Sequence, residues 1–147
     1  MIIVPPGYKL SLRFFHPNID PLEITQELSM TPAYYWKQGD PRKTSKGKSL
    51  DGVYTESYWC FPYEIPQNGV LSDFLQSCVN RLSPYHVFFD KISDEKGRCE
   101  FYIQISGNIN SGDELEWSLL GQLAKLKFNL AIEVFPMAFS QRNRPTP

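Results

Sequence analysis

The chain has 147 residues, 41% of them hydrophobic and 21% charged, with a net charge of −1 and a pI of about 6.1. A domain of this length buries enough surface to need neither disulfide nor metal, and so balanced a charge excludes a protein that binds polyanions over its whole surface. No run approaches the roughly 18 apolar residues of a membrane helix, and the apolar start Met1–Val4 lacks the length and basic flank of a signal peptide.

Leu10, Leu12 and Phe14 alternate with Lys9, Ser11 and Arg13, the period of a strand with one buried face. Asp20-Pro21, with Glu23 three residues after the cap, reads as a capping box at a helix start, and Ile19 and Ile24 are spaced as a hydrophobic staple. That helix should reach about Ser29, with Thr31-Pro32 ending it. From Ala33 to Leu50 the chain is aromatic, then basic, and is broken by Gly39, Pro41 and Gly47. Asp51-Gly52 predicts a hairpin turn, with a strand from Val53 to Phe61 as its second arm.

Leu71, Phe74, Leu75, Cys78, Val79 and Leu82 form one continuous apolar stripe of a helix. Ser83-Pro84 opens a shorter helix with Tyr85, Phe88, Phe89 and Ile92 at helical spacing, and Asp94–Gly97 makes a turn. Cys99, Phe101, Ile103 and Ile105 alternate as a strand, and a polar loop spans 107–112. Asp113, Glu114 and Glu116 then load the first turn of a further helix, whose core line is Leu115, Leu119, Leu123 and Leu126. Leu130, Ile132 and Val134 alternate in a final strand.

This order predicts a single α+β domain over residues 1–147. Strands with one polar face and helices with one apolar face fit a two-layer sandwich, a mainly antiparallel sheet with helices on one face. Its βαβ units make it a ferredoxin-like variant of the split βαβ plan. Residues 1–7 and 140–147 are expected to be flexible ends.

Neither histidine, His16 nor His86, has metal-ligand spacing to a second ligand, so both are read as surface or cap residues. The three cysteines Cys60, Cys78 and Cys99 lack CxxC spacing and are read as reduced thiols of a cytoplasmic protein. No GxSxG elbow is present. Gly107 and Gly112 are spaced as in a phosphate loop, but Asp113-Glu114 stands where Lys-Ser/Thr is required. No catalytic residue, metal or cofactor is therefore expected. An enzyme built on carboxylates such as Asp40 or Glu56 would need a second titratable group beside one of them in a cleft.

One segment remains to be explained. Between Tyr34 and Tyr63 lie eight aromatics: Tyr34, Tyr35, Trp36, Tyr54, Tyr58, Trp59, Phe61 and Tyr63. Beside them Lys37, Arg42, Lys43, Lys46 and Lys48 face Asp40 alone. Aromatics anchor protein interfaces, and with cations they also stack on bases and neutralise phosphates. Packing on the sheet beside a soluble basic loop is the plain structural alternative. The candidate binding residues are Trp36, Lys37, Asp40, Arg42 and Trp59, with both indoles expected on one exposed face.

The opening strand Leu10–Phe15, the Asp20-Pro21 helix, Thr31-Pro32 and the segment Trp36-Lys37-Gln38-Gly39-Asp40 together resemble the family called domain of unknown function 4279. The closing half, down to the strand Leu130–Val134, is similar as well. The resemblance implies a bacterial single-domain protein and lends no catalytic residue. Here Ser57-Tyr58-Trp59 stands in place of that family's more usual Trp-Ser pairing. The expectation is a non-catalytic protein-interaction module of immunity or regulatory type. The alternative is a domain binding a small anionic ligand or, less favoured, nucleic acid. A homodimer through an exposed hairpin or edge strand is the other partner the sequence allows, and no membrane is involved.

Overall fold

The computed structural model describes residues 7–66, 69–106 and 112–135. In chain order the elements are β1 (Tyr8–His16), α1 (Pro21–Leu28), β2 (Tyr34–Trp36), β3 (Pro41–Lys43), β4 (Ser49–Val53) and β5 (Ser57–Pro62). Then come α2 (Leu71–Leu82), a 3-10 turn (Ser83–Tyr85), α3 (His86–Asp94), β6 (Arg98–Ser106), α4 (Trp117–Lys125) and β7 (Phe128–Phe135). Five strands form one sheet in the order β2-β5-β1-β6-β7, and β3 pairs with β4 in a small second sheet. β1 is central and antiparallel to both β5 and β6, and β7 runs parallel to β6 through the α4 crossover. The two-layer, mainly antiparallel plan is as expected, and the order is compatible with a ferredoxin-like variant. Apart from Gly7, the ends expected to be flexible fall outside the described residues.

Alternation along β1 decides the layers. Leu10, Leu12 and Phe14 point into the core, as do Phe101 and Ile103 of β6, where Ile24, Leu28, Leu75, Val79, Phe89, Ile92 and Leu123 meet them from the helices. The opposite face is sealed by its own side chains. The Arg13 guanidinium lies 3.9 Å from the Tyr102 ring centroid and donates to Glu100, while Arg98 lies 3.9 Å from the Phe15 ring. Cations over aromatic faces cover apolar surface that would otherwise need a second helical layer.

His16 is buried at the turn from β1 into α1. Its Nδ1 accepts from the backbone N–H groups of Asn18 and Ile19 at 3.1 and 2.9 Å. Nε2 must then carry the proton, and it donates to Glu95 Oε1 at 2.9 Å, tying the turn to the end of α3. Asp20 caps α1 by accepting from Leu22 N, whereas Glu23 pairs with Lys91 of α3 in place of closing the expected capping box.

Two further expectations are corrected. The hairpin reverses at Thr44–Lys48, where Thr44 N donates to Lys48 O at 2.8 Å and Gly47 has φ +85°. Asp51-Gly52 lies inside β4 as a bulge. Pro41 pairs with Val53 and Lys43 with Ser49, so Leu50–Gly52 stand opposite Arg42 alone, with Gly52 at φ +86°. The second correction concerns Asp113. It lies ahead of α4, whose first residue is Trp117, and serves α2, accepting from Ser72 N at 2.7 Å and from Ser72 Oγ at 2.9 Å. The final alternating strand is present as β7, with Phe128 in the core, Leu130 packed against it, and Ile132 and Val134 exposed. Of the polar loop expected over 107–112, only Gly112 is among the described residues.

Candidate functional site

The long hairpin from Tyr34 to Pro62 has two regimes. Near the body, β2 pairs with β5 in the main sheet; beyond Lys37–Asp40 the same two arms continue as β3 and β4. Gly39 N donates to Tyr54 O at 2.9 Å and Tyr54 N to Asp40 O at 3.0 Å, carrying the pairing through the junction. Gly39 takes φ +89°, a conformation favoured by glycine. Asp40 Oδ2 accepts from Lys37 N at 2.9 Å and closes the turn.

Ser57 fixes this junction to the body. Its buried hydroxyl donates to Ile19 O at 2.6 Å and accepts from Gln38 N at 3.0 Å. Trp36 follows from this placement. Its indole stacks on Tyr54, packs against Tyr58 with centroids 4.6 Å apart, and donates through Nε1 to Glu56 O at 3.1 Å. The Tyr54 hydroxyl is held by the backbone of Lys43, accepting from its N–H and donating to its carbonyl. Burial, reinforced by the neighbouring Cys60, pushes the Tyr58 phenol up despite Arg13, so this ring is a neutral packing surface.

A cleft of about 640 Å³ opens along this stack, lined among others by Tyr34, Tyr35, Trp36, Asp40, Arg42 and Lys43. A second cleft, of about 390 Å³, lies on the helix side of the same strand, between Pro21, Leu22 and Thr25 of α1 and Tyr35, Lys37 and Asp40. Tyr35, 64% exposed, and Asp40 line both. The structure thus brings four of the five candidates together around β2: Trp36, Asp40 and Arg42 at the first cleft, Lys37 and Asp40 at the second.

Trp59 does not join them. It is 0% exposed, meets Phe14 edge-on at 5.3 Å and donates through Nε1 to Thr25 Oγ1 at 3.0 Å. Trp59 pairs with Phe14 in the β1–β5 register, and that parity turns it into the core while Tyr58 faces out with Phe15. Nothing local in the sequence sets Tyr35 and Tyr54 apart from the other aromatics of the segment. Both carry an ordinary strand signal, and only the bend of the hairpin makes one a shared wall and the other a stacking partner.

Among the described residues, Lys37, Lys43, Lys46 and Lys48 take part in no ion pair, and Arg42 donates only to the carbonyl of Asp51. Of the carboxylates singled out in the sequence, Asp40 accepts from Lys37 N and lines both clefts, and Glu56 lies 3.9 Å from Arg98. Among the described residues no group of three histidine, cysteine or acidic side chains is placed to hold a metal ion, and no helix is long and apolar enough to cross a membrane.

Fold and site define a two-layer α+β domain that carries a basic, aromatic hairpin at one end of its sheet. Residues 6–135 match the family model described as Domain of unknown function (DUF4279), and the chain belongs to that family. No curated protein and no solved structure matches it.

Proposed function

We propose that the protein is a non-catalytic interaction module that receives an acidic partner protein on the hairpin, in an immunity-type or regulatory role. The observation that supports this is the pairing of unneutralised cations with exposed rings around one strand. Lys37, Arg42 and Lys43 border clefts walled by Tyr34 and Tyr35, the two rings there that stand most open to solvent. Large rings supply contact area at low entropic cost, and unpaired cations on the rim set partner sign and association rate. Cytoplasmic residence and bacterial origin belong to the same reading, supported by three unpaired cysteines and the family resemblance.

The alternative, a small anionic ligand or nucleic acid, draws on the same cations. Base stacking is the weaker form of it, because Trp36 already spends its ring area on Tyr54 and Tyr58. The experiment is a capture of binding proteins by the wild-type chain and by an Arg42→Glu/Lys43→Glu chain with Tyr35→Ala as a third bait. The reading expects an acidic protein retained by the wild type and lost with both variants. Retention of the same proteins by all three baits, or binding of a plain oligonucleotide that salt abolishes, sinks it.

A further inference from the structure

The two edges of the main sheet differ in kind. β2 is three residues long and runs directly into the basic segment, a short and charged edge of the sort that resists pairing. β7 is eight residues long, and the only charged side chain along it is Glu133. On its helix-side face Ile132 and Val134 are 58% and 61% exposed, and α4, the helix that leads into β7, also carries the exposed apolar side chains Leu120 and Trp117, the latter 86% exposed. Its other side is committed to β6 from Cys99↔Phe128 to Ser106↔Phe135.

We propose that β7 is a homodimer edge, pairing antiparallel with β7 of a second copy about a two-fold axis at Ile132. An antiparallel pair related by a two-fold axis always opposes residues of the same face, so both helix layers fall on one side of a continuous ten-stranded sheet. Centring the axis on Ile132 sets Ile132 against Ile132 and Leu130 against Val134 on the helix side. On the other face Glu133 meets Ala131. No like charges are opposed, which would destabilise the pair, and Glu133 is drawn back toward its own sheet by Tyr102, whose hydroxyl donates to it at 2.7 Å. Shifting the axis one residue, to Glu133, would oppose two carboxylates. The strand's charge pattern therefore fits a second copy in this register.

The test is sedimentation of the full 147-residue chain on the order of 10–100 µM, a range in which modest interfaces associate. Wild type is expected at twice its 17.0 kDa mass. Ile132→Lys, which opposes two ammonium groups at the axis, should weaken association roughly tenfold or more, and Val134→Glu should weaken it too. Both positions are exposed in the single chain, so unchanged circular dichroism is expected for either variant. Ile132→Cys should form an intersubunit disulfide on mild oxidation, since directly opposed residues fall within disulfide reach. A monomeric wild type, or a dimer that neither substitution weakens, overturns the proposal. The hairpin variants lie on the opposite edge and should leave the dimer intact.

Discussion

Trp36 and Tyr54 lie face to face, ring centroids 4.1 Å apart and planes 9° apart, and this contact joins the main sheet to the hairpin's outer half. Beside it, the β3–β4 extension is held to the sheet by the two chain segments 37–40 and 54–56, by Trp36 Nε1 donating to Glu56 O and by the Ser57 hydroxyl. Tyr54→Ala should cost about 1 kcal/mol or somewhat more, the scale of an aromatic pair. It should also shift Trp36 emission to the red as the indole gains water. Tyr54→Phe loses two hydrogen bonds to Lys43 but keeps the stack, so its emission should stay close to wild type. A Tyr54→Ala protein with unchanged emission would show that the stack does not shield Trp36.

Ser57 is 1% exposed and serves two backbone groups from different segments. Ser57→Ala leaves the carbonyl of Ile19 and the N–H of Gln38 without that partner, at a cost of roughly 1–3 kcal/mol for each group that stays dry. Urea unfolding should show a lower midpoint with an unchanged slope.

Two glycines should respond oppositely to alanine. A Cβ on Gly97 would stand 2.8 Å from Ile92 Cγ2 and 2.9 Å from both His16 Cδ2 and Phe15 O. Gly97→Ala should therefore destabilise by about 1–3 kcal/mol through overpacking. Gly121 lies within α4 with nothing within 4 Å of its would-be Cβ, so Gly121→Ala should stabilise by up to about 1 kcal/mol. Thermal denaturation of the two variants reads both signs.

Burial tends to raise the Asp113 carboxyl, but hydrogen bonds from Ser72 N, Ser72 Oγ and Glu114 N more than offset it and hold it below the ordinary value. A depressed folded-state value means the contribution is fully present above the unfolded pKa, about 4. It is lost as pH falls through the lower, folded-state value. Because Asp113 is largely exposed, the effect should be small. Wild-type stability should fall across this acid range more steeply than that of Asp113→Asn, and parallel acid limbs would refute the assignment.

Burial pushes the Cys78 thiol up to about 11 and Cys99 higher still, so neither offers thiolate at neutral pH. Cys60 is buried as well. A disulfide-exchange reagent at pH 8 should label the native protein slowly and all three cysteines promptly in denaturant. Fast labelling of one native thiol would mean that the segment covering it opens readily.

Much of the fold was legible because it rests on local periodicity. The strand Leu10–Phe14, the α2 stripe from Leu71 to Leu82 and the cap at Asp20 each announce themselves within a dozen residues, since side-chain spacing and cap chemistry are local properties. The hairpin was harder. Asp51-Gly52 carries the chemistry of a turn, yet Gly52 spends its positive φ on a bulge, because Trp36, Tyr54 and Ser57 fix the arms in a different register. The role of Asp113 is hidden from a local reading for a related reason. A carboxylate suits any helix start, and only packing shows that α2's lies within reach.

The candidate site divides the same way. By itself the sequence determined that an aromatic, basic segment lies between Tyr34 and Tyr63, and it supplied no catalytic or metal-binding motif. Tertiary structure alone decided that Trp59 goes inward and Trp36 outward. It also decided that Tyr35 and Asp40 sit between two clefts, and that β7 in place of the hairpin offers the long apolar edge. Composition and spacing are carried by neighbours in the chain. Strand parity, register and edge position are set by partners tens of residues away, such as Phe14 for Trp59 and Phe101 for Leu130.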